Sequence, residues 1–255
     1  MEETSKIATL GTVPQLELEA DEENAHRLSQ LWLVGKVLSP KIVKKNIVQS
    51  IIRHVWFTDE EVRVDHLHPN VFLFCLKSVL DRNRIWRKRP WSINGAHLVL
   101  REWRPDSSFE EINFHLSTFW IQIHGLPLQY MTRENALKIR GLFPTVLQCE
   151  YTSRTNIIGM KYMRLQVEVD TSKPLLKGFF QKVGNGGSWI KFAYERLAEF
   201  CYNCGKLEHG KGICTEPPSA EQSSEENSYG PWMRAKATAS TAINDRNYLR
   251  RMELP

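Results

Sequence analysis

The sequence predicts an α+β protein made of two β-α-β-β-α-β modules and one small metal-binding segment. Three observations carry that prediction. Short apolar or alternating runs of strand length are interrupted by stretches with apolar residues at three- and four-residue spacing. The same order of elements comes round twice along the chain. Three of the five cysteines crowd between positions 201 and 214, together with one histidine. At 255 residues, 42% of them hydrophobic and 10% aromatic, the chain is long enough for one or two cores and too apolar to stay unfolded from end to end.

Residues 1–29 read as an acidic flexible leader, with seven carboxylates against Lys6 and Arg27. The net charge of +5 therefore leaves +10 on the remainder, an excess that suits a polyanionic partner. The first module is expected over 30–104. Leu31–Leu38 is an apolar run fit for a buried strand, and Ser39-Pro40 supplies a cap and a first-turn proline. The helix that follows is expected to carry Ile42, Ile47, Val48, Ile51, Ile52 and Val55 on one face and Lys41, Lys44, Lys45 and Arg53 on the other. Val62–Leu67 alternates as a strand, His68-Pro69-Asn70 turns, and Val71–Leu76 pairs back on it. Ser78 caps a second helix running to about Lys88, and Gly95–Trp103 closes the module.

The second module, 117–196, repeats the plan. Phe119–His124 is a strand, Thr132 caps a helix that Gly141 stops, and Pro144–Tyr151 and Tyr162–Asp170 are strands. Pro174–Lys182 is predicted as the second helix, 184–187 as a turn and Ser188–Tyr194 as the closing strand. This order is that of ferredoxin-like, RNA-recognition-type (RRM-like) domains. Residues 216–255 lack a sustained hydrophobic pattern and read as a disordered tail. Tyr229-Gly-Pro-Trp-Met is the one cluster in that tail sticky enough to dock on something.

Residues 200–215 contain Cys201, Cys204, His209 and Cys214 at the spacing C-x2-C-x4-H-x4-C. Three thiolates and an imidazole suit tetrahedral Zn2+ with no open position for water, so the predicted site is structural. So short a segment buries no core of its own and depends on the metal to fold. Cys75 and Cys149 lie in apolar strands and read as core.

The segments LWLVGKVL, PWSINGAHLVLREW, FWIQIHGLPLQYMT, SWIKFAYERLAEFCYNCGKLEHGKGIC and YGPWMRA resemble a large plant family that carries a domain of unknown function followed by a CCHC zinc knuckle. These proteins look like the gag-like first reading frame of LINE-type retrotransposons. The resemblance covers about residues 28–234. It implies an RRM-like fold, zinc held by Cys201, Cys204, His209 and Cys214, and single-stranded RNA or DNA as partner. The chain differs from the usual knuckle at Glu208, where the family commonly has glycine, and at Gly210, where retroviral-type knuckles often place an apolar residue.

In knuckles of this kind an aromatic beside the first ligand stacks on a base, here Tyr202, and Lys206 and Lys211 are placed to meet phosphates. Packing of Tyr202 against Phe200 or Leu207 is the alternative. Phe72 and Phe74 share one strand face and echo the base-stacking rings of RRM strands, or else fill the core. Arg82, Arg84, Arg87, Lys88 and Arg89, with Arg101 and Arg104 on the following strand, form a basic feature interleaved with Trp86, Trp91 and Trp103, suited to phosphates or, alternatively, a solvated helix end with core tryptophans.

Neither a G-x4-G-K-[ST] loop nor H-E-x-x-H occurs, and the glycines at 184–187 precede a strand instead of opening a helix. The expectation is a non-enzymatic, zinc-dependent nucleic-acid-binding protein without small-molecule substrate or membrane span. The competing expectation is a protein-interaction module whose knuckle is only a staple and whose aromatic tail docks a partner.

Overall fold

The fold, taken from a computed structural model, covers residues 8–10, 13–150, 162–217 and 228–235. Near the N-terminus, β1 (Ala8–Leu10) pairs antiparallel with β2 (Val13–Gln15). The leader is not flexible throughout, because Glu22–Leu31 forms α1. The Asp21 side chain accepts from the Asn24 N–H at 3.1 Å, and Glu22 and Glu23 sit in the first turn, where the helix dipole favours acids. Part of the acidic excess is therefore a helix start.

The first module follows the predicted order: β3 (Trp32–Leu38), α2 (Lys45–Val55), β4 (Arg63–His68), β5 (Val71–Cys75), α3 (Val79–Arg87) and β7 (Ala96–Glu102), with a short β6 (Trp91–Ile93) before the last. The antiparallel sheet runs β4-β5-β3-β7-β6. With β6 set aside this is the 4-1-3-2 order of ferredoxin-like domains. The helix after β3 begins five residues later than Ser39-Pro40 suggests. The Asn70 amide holds the intervening loop: its Oδ1 accepts from Val43 N–H at 2.8 Å, and its Nδ2 donates to the Ser39 and Lys41 carbonyls at 3.0 and 3.1 Å. A long-range partner thus outcompetes the local cap.

Both faces of this sheet are covered. Leu33, Val37, Phe72, Phe74, Leu98 and Leu100 meet Val48, Ile52 and Ile85 from the two helices. On the other face Val34, Val71, Leu73 and Cys75 are covered by Trp103, Phe109, Ile112 and Phe114 from the segment after β7. That two-sided burial explains why β5, VFLFC, is apolar without alternation.

The second sheet has the order β11-β12-β8-β10-β9, from β8 (Leu116–His124), α4 (Arg133–Arg140), β9 (Thr145–Glu150), β10 (Met163–Asp170), β11 (Gly178–Val183) and β12 (Gly186–Tyr194). The helix predicted over Pro174–Lys182 is absent: β11 pairs with β12 from Gly178↔Lys191 to Val183↔Gly186. Two pairs of apolar residues, Leu175-Leu176 and Phe179-Phe180, mimic helical spacing, but the glycine-rich turn beside them closes a hairpin. The Tyr151 end of the predicted strand lies outside the described residues, as does the side chain of Cys149.

The room a second helix would fill on this sheet is taken by the chain that follows β12. Leu197, Phe200, Leu207 and Met233 belong to the same buried cluster as Phe119, Ile121, Ile123, Leu165, Val167, Ile190 and Phe192, with Ala136 and Ile139 of α4. The knuckle segment and residues 228–235 are therefore part of the second module's core. The tail is ordered at the aromatic cluster: Arg234 bridges Tyr194 in a parallel pair, and Ala235 N–H donates to the Tyr194 carbonyl at 2.9 Å. Trp232 Nε1 donates to the Ser228 carbonyl at 3.1 Å.

The two modules join through side chains that bridge their sheets. Val99 and Leu38 enter the second core, and the His97 ring stacks on Phe119 with centroids 4.9 Å apart. The Arg101 guanidinium donates to the Asn113 and Leu116 carbonyls at 2.9 and 2.5 Å and lies 3.5 Å from Glu168. Glu199 N–H donates to the Gly95 carbonyl at 2.8 Å, and Arg196 Nη1 donates to the Lys88 carbonyl at 2.5 Å. Among the described residues no helix is long and apolar enough to cross a membrane.

Candidate metal centre and nucleic-acid interface

The chain leaves β12 extended and turns sharply at Cys201, which is fully buried. Gly205 N–H donates to the Cys201 carbonyl at 2.8 Å, and Cys201 N–H donates to the Lys206 carbonyl at 2.9 Å, closing the loop between the first two thiols. Gly205 has φ +78°, and a Cβ there would lie 2.3 Å from the Tyr229 ring. Only glycine meets both demands. Gly205→Ala is expected to cost about 1–3 kcal/mol through overpacking and the left-handed backbone, and to free residues 228–235. Faster limited proteolysis of that segment together with a lower unfolding midpoint checks this.

The ligand atoms of Cys201, Cys204, His209 and Cys214 all lie within 4.8 Å of one another. Among the described residues this is the one such Cys/His group. His209 Nε2 is 3.4 Å from Cys204 Sγ. Tetrahedral zinc with bonds of ~2.3 Å to sulfur and ~2.0–2.1 Å to nitrogen places such a pair ~3.5 Å apart, so this pair has the spacing of a zinc site and the four donors fit the ion in number and type. Asn203 organises the sulfurs from the second layer. Its backbone N–H is 3.4 Å from Cys201 Sγ, and its Nδ2 lies 3.3 Å from Cys214 Sγ and donates to the Glu216 carbonyl at 2.8 Å. That amide contact holds the Cys214 thiol down to about 6, whereas burial pushes Cys204 up to about 11. With four protein ligands, bound zinc supplies a cross-link and no reactive water.

Tyr202 is half-buried against Phe200, ring centroids 4.9 Å apart and edge to face, and its hydroxyl accepts from Arg234 Nη1 at 3.0 Å. Lys206 pairs with Glu216 at 2.9 Å. The side chain of Lys211 lies outside the described residues. Phe72 and Phe74 are 0% exposed beneath α2 and α3, so they are core and cannot stack on a base. The sheet face opposite them is closed as well, by the segment after β7.

The basic run is largely consumed within the fold. Arg82 is buried in an ion pair with Glu102 at 2.7 Å, and Arg84 pairs with Asp81 at 2.6 Å and donates to the Phe57 carbonyl at 2.5 Å. Arg89 lies 3.2 Å over the Trp86 ring, and burial, with Arg101 nearby, lowers it to about 10. Arg87 is exposed and Lys88 half-buried. The run therefore offers an incoming phosphate fewer charges than its sequence suggests.

A soft signal for the aromatic latch was present in the sequence, since Tyr229-Gly-Pro-Trp-Met is apolar amid polar residues; its partner is its own chain. Met233 is fully buried, and Lys177 and Lys191 lie 5.1 and 5.7 Å from the Tyr229 and Trp232 ring centroids.

These features define a two-sheet α+β protein with a latched CCHC centre. Residues 26–111 match a domain of unknown function (DUF4283), and residues 169–216 match a zinc knuckle. The second match starts at the end of β10 and takes in the β11–β12 hairpin, the same stretch that shares a core with the metal centre. The chain is similar to "Uncharacterized protein At4g02000" of Arabidopsis thaliana, 27% identical over 141 residues that make up 53% of this chain and 42% of that one. The match thus spans less than half of that relative. Among solved structures it is similar to the N-terminal three RNA binding domains of the yeast splicing factor Prp24, at 13% identity, 65% and 66% coverage and a TM-score of 0.25. The strand order β4-β5-β3-β7 by itself defines the ferredoxin-like fold of the first module.

Proposed function

We propose that the protein is a non-enzymatic, zinc-dependent binder of single-stranded nucleic acid, RNA by preference, of the gag-like kind carried by LINE-type retrotransposons. The observation that carries this reading is the convergence of three thiols and one imidazole, with ligand atoms all within 4.8 Å of one another, in a segment that matches a zinc knuckle. The charge of +10 outside the acidic leader supports it, because lysines and arginines gain by releasing counterions from phosphates.

The test is fluorescence anisotropy of the zinc-loaded full chain with a labelled 12-nucleotide single-stranded RNA over a salt series. Affinity is expected to fall with added salt by a slope of ~0.7 per phosphate contacted, and to drop at least about tenfold on chelation or in Cys204→Ser. Salt-independent or absent binding by the loaded protein overturns the reading. A second reading, a protein-interaction module with a purely structural knuckle, is favoured by the engagement of Tyr202 with Phe200 and Arg234. Under it, RNA binding is absent while zinc still stabilises the fold.

A further inference from the structure

We propose that the cleft between the first module and the outer edge of the knuckle is a pocket for one nucleotide of a single strand, with its base toward the knuckle and its phosphate toward Lys36. The proposal rests on the nucleic-acid reading above and adds where and how the strand is held. The cleft has a volume of about 410 Å3, within the ~300–1,000 Å3 usual for small-ligand pockets. The end of β3 and the β4–β5 turn form one wall, and the stretch from Glu208 to Thr215 forms the other.

The first wall is preformed. Asn70 is 8% exposed at φ +63°, and both ends of its amide are committed to the loop of residues 39–43. Pro40 and Pro69 stiffen the same rim, so little ordering entropy remains to be lost on binding. Lys36 lines this wall and makes no side-chain hydrogen bond or ion pair among the described residues, in contrast to Arg82, Arg84 and Arg89. Its ammonium is available to a phosphate.

The opposite wall has a different chemistry. Ile213 lines the cleft while 57% exposed, an apolar surface for the flat face of a base. Glu208, exposed beside it, repels phosphate and accepts hydrogen bonds from the amino or imino N–H groups that bases present on their Watson–Crick edges. A cation on one wall and a carboxylate on the other give the pocket a polarity that matches a nucleotide in one orientation. Tyr202, the ring that its sequence position marks for stacking, is engaged by Phe200 and Arg234, which leaves this edge of the knuckle as the place for a base. Because the two walls come from different modules, the site exists only while both hold their relative position.

The experiment uses the zinc-loaded full chain and a labelled 12-nucleotide single-stranded RNA of mixed sequence. Lys36→Glu and Ile213→Asp are each expected to weaken binding at least tenfold. Lys44→Glu, the same charge change on an exposed residue outside the cleft, is expected to weaken it less than twofold. The milder Lys36→Ala and Ile213→Ser, verified by zinc content and unfolding midpoint, are expected to weaken binding threefold or more, and Lys36→Ala also to reduce the salt slope by about 0.7. Photocrosslinking of 4-thiouridine-substituted RNA is expected to label peptides containing residues 36–40 and 208–215. Wild-type affinity in Lys36→Ala and Ile213→Ser, with crosslinks elsewhere, overturns the pocket while leaving nucleic-acid binding intact. Absence of RNA binding by the wild-type chain at every salt concentration overturns both.

Discussion

Removal of zinc from the full chain is expected to lower the unfolding midpoint of the second sheet, not merely to unravel a short loop. In a free-standing finger the metal stabilises only its own ligands' segment. Here Phe200 and Leu207, on either side of the first two thiols, are buried in one cluster with β8, β10 and β12, and Leu175 N–H donates to the Gly205 carbonyl at 3.0 Å. Met233, fully buried, docks on the same surface, so the latch loses its seat when the loop opens. Apparent zinc-binding energies of ~10–16 kcal/mol in finger peptides are comparable with the whole stability of a domain, ~5–15 kcal/mol. If only about 4 kcal/mol of this is coupled to the sheet, the midpoint falls by roughly 10 °C, at ~2–4 °C per kcal/mol for a chain of this size. Circular dichroism at a β-sheet wavelength, with and without chelator and in Cys204→Ser, measures it. An unchanged sheet transition after confirmed loss of zinc contradicts the shared core.

The same coupling explains what was legible in the sequence and what was not. Strands and helices of the first module could be read because period-2 and period-3.6 patterns are local properties. The thiol and imidazole spacing could be read because the ligands lie within fourteen residues. The start of α2 could not, since it is decided by Asn70, whose amide reaches back to residues 39–43. Nor could the fate of Pro174–Lys182. Its spacing suits a helix equally well, and the choice fell to an edge of β12 that was open for pairing and to a sheet face already occupied by Phe200, Leu207 and Met233. The rings of Phe72 and Phe74 were placed correctly on one face; which cover that face receives is a tertiary fact, and it receives the helices. The basic run illustrates the remaining gap, because a count of cations does not reveal which carboxylates and carbonyls claim them.

Acidification is expected to weaken the joint between the modules through His97. This ring is 0% exposed, Nε2 lies 2.8 Å from Ser117 Oγ, Nδ1 has no partner among the described residues, and Phe119 stacks on its face. Burial lowers it to about 3 from an ordinary value of 6.5. The folded protein therefore refuses a proton that the unfolded chain accepts between those limits, and stability falls as the pH drops from 6.5 toward 3. At ~1.36 kcal/mol per pKa unit the loss across that window approaches roughly 4 kcal/mol, all of it retained above pH 6.5. His124, also lowered by burial, loses stability in the same direction, and Asp170, held low by Ser172, adds a further loss only near its own lower range. His97→Gln separates these contributions: its amide still reaches Ser117 and does not titrate, while the other groups stay in place. The variant is expected to be less stable at pH 7 through imperfect packing, yet flatter between pH 6.5 and 4 in urea-unfolding midpoints. An equally steep decline in His97→Gln and wild type means that the proton enters elsewhere and that this histidine does not govern the joint.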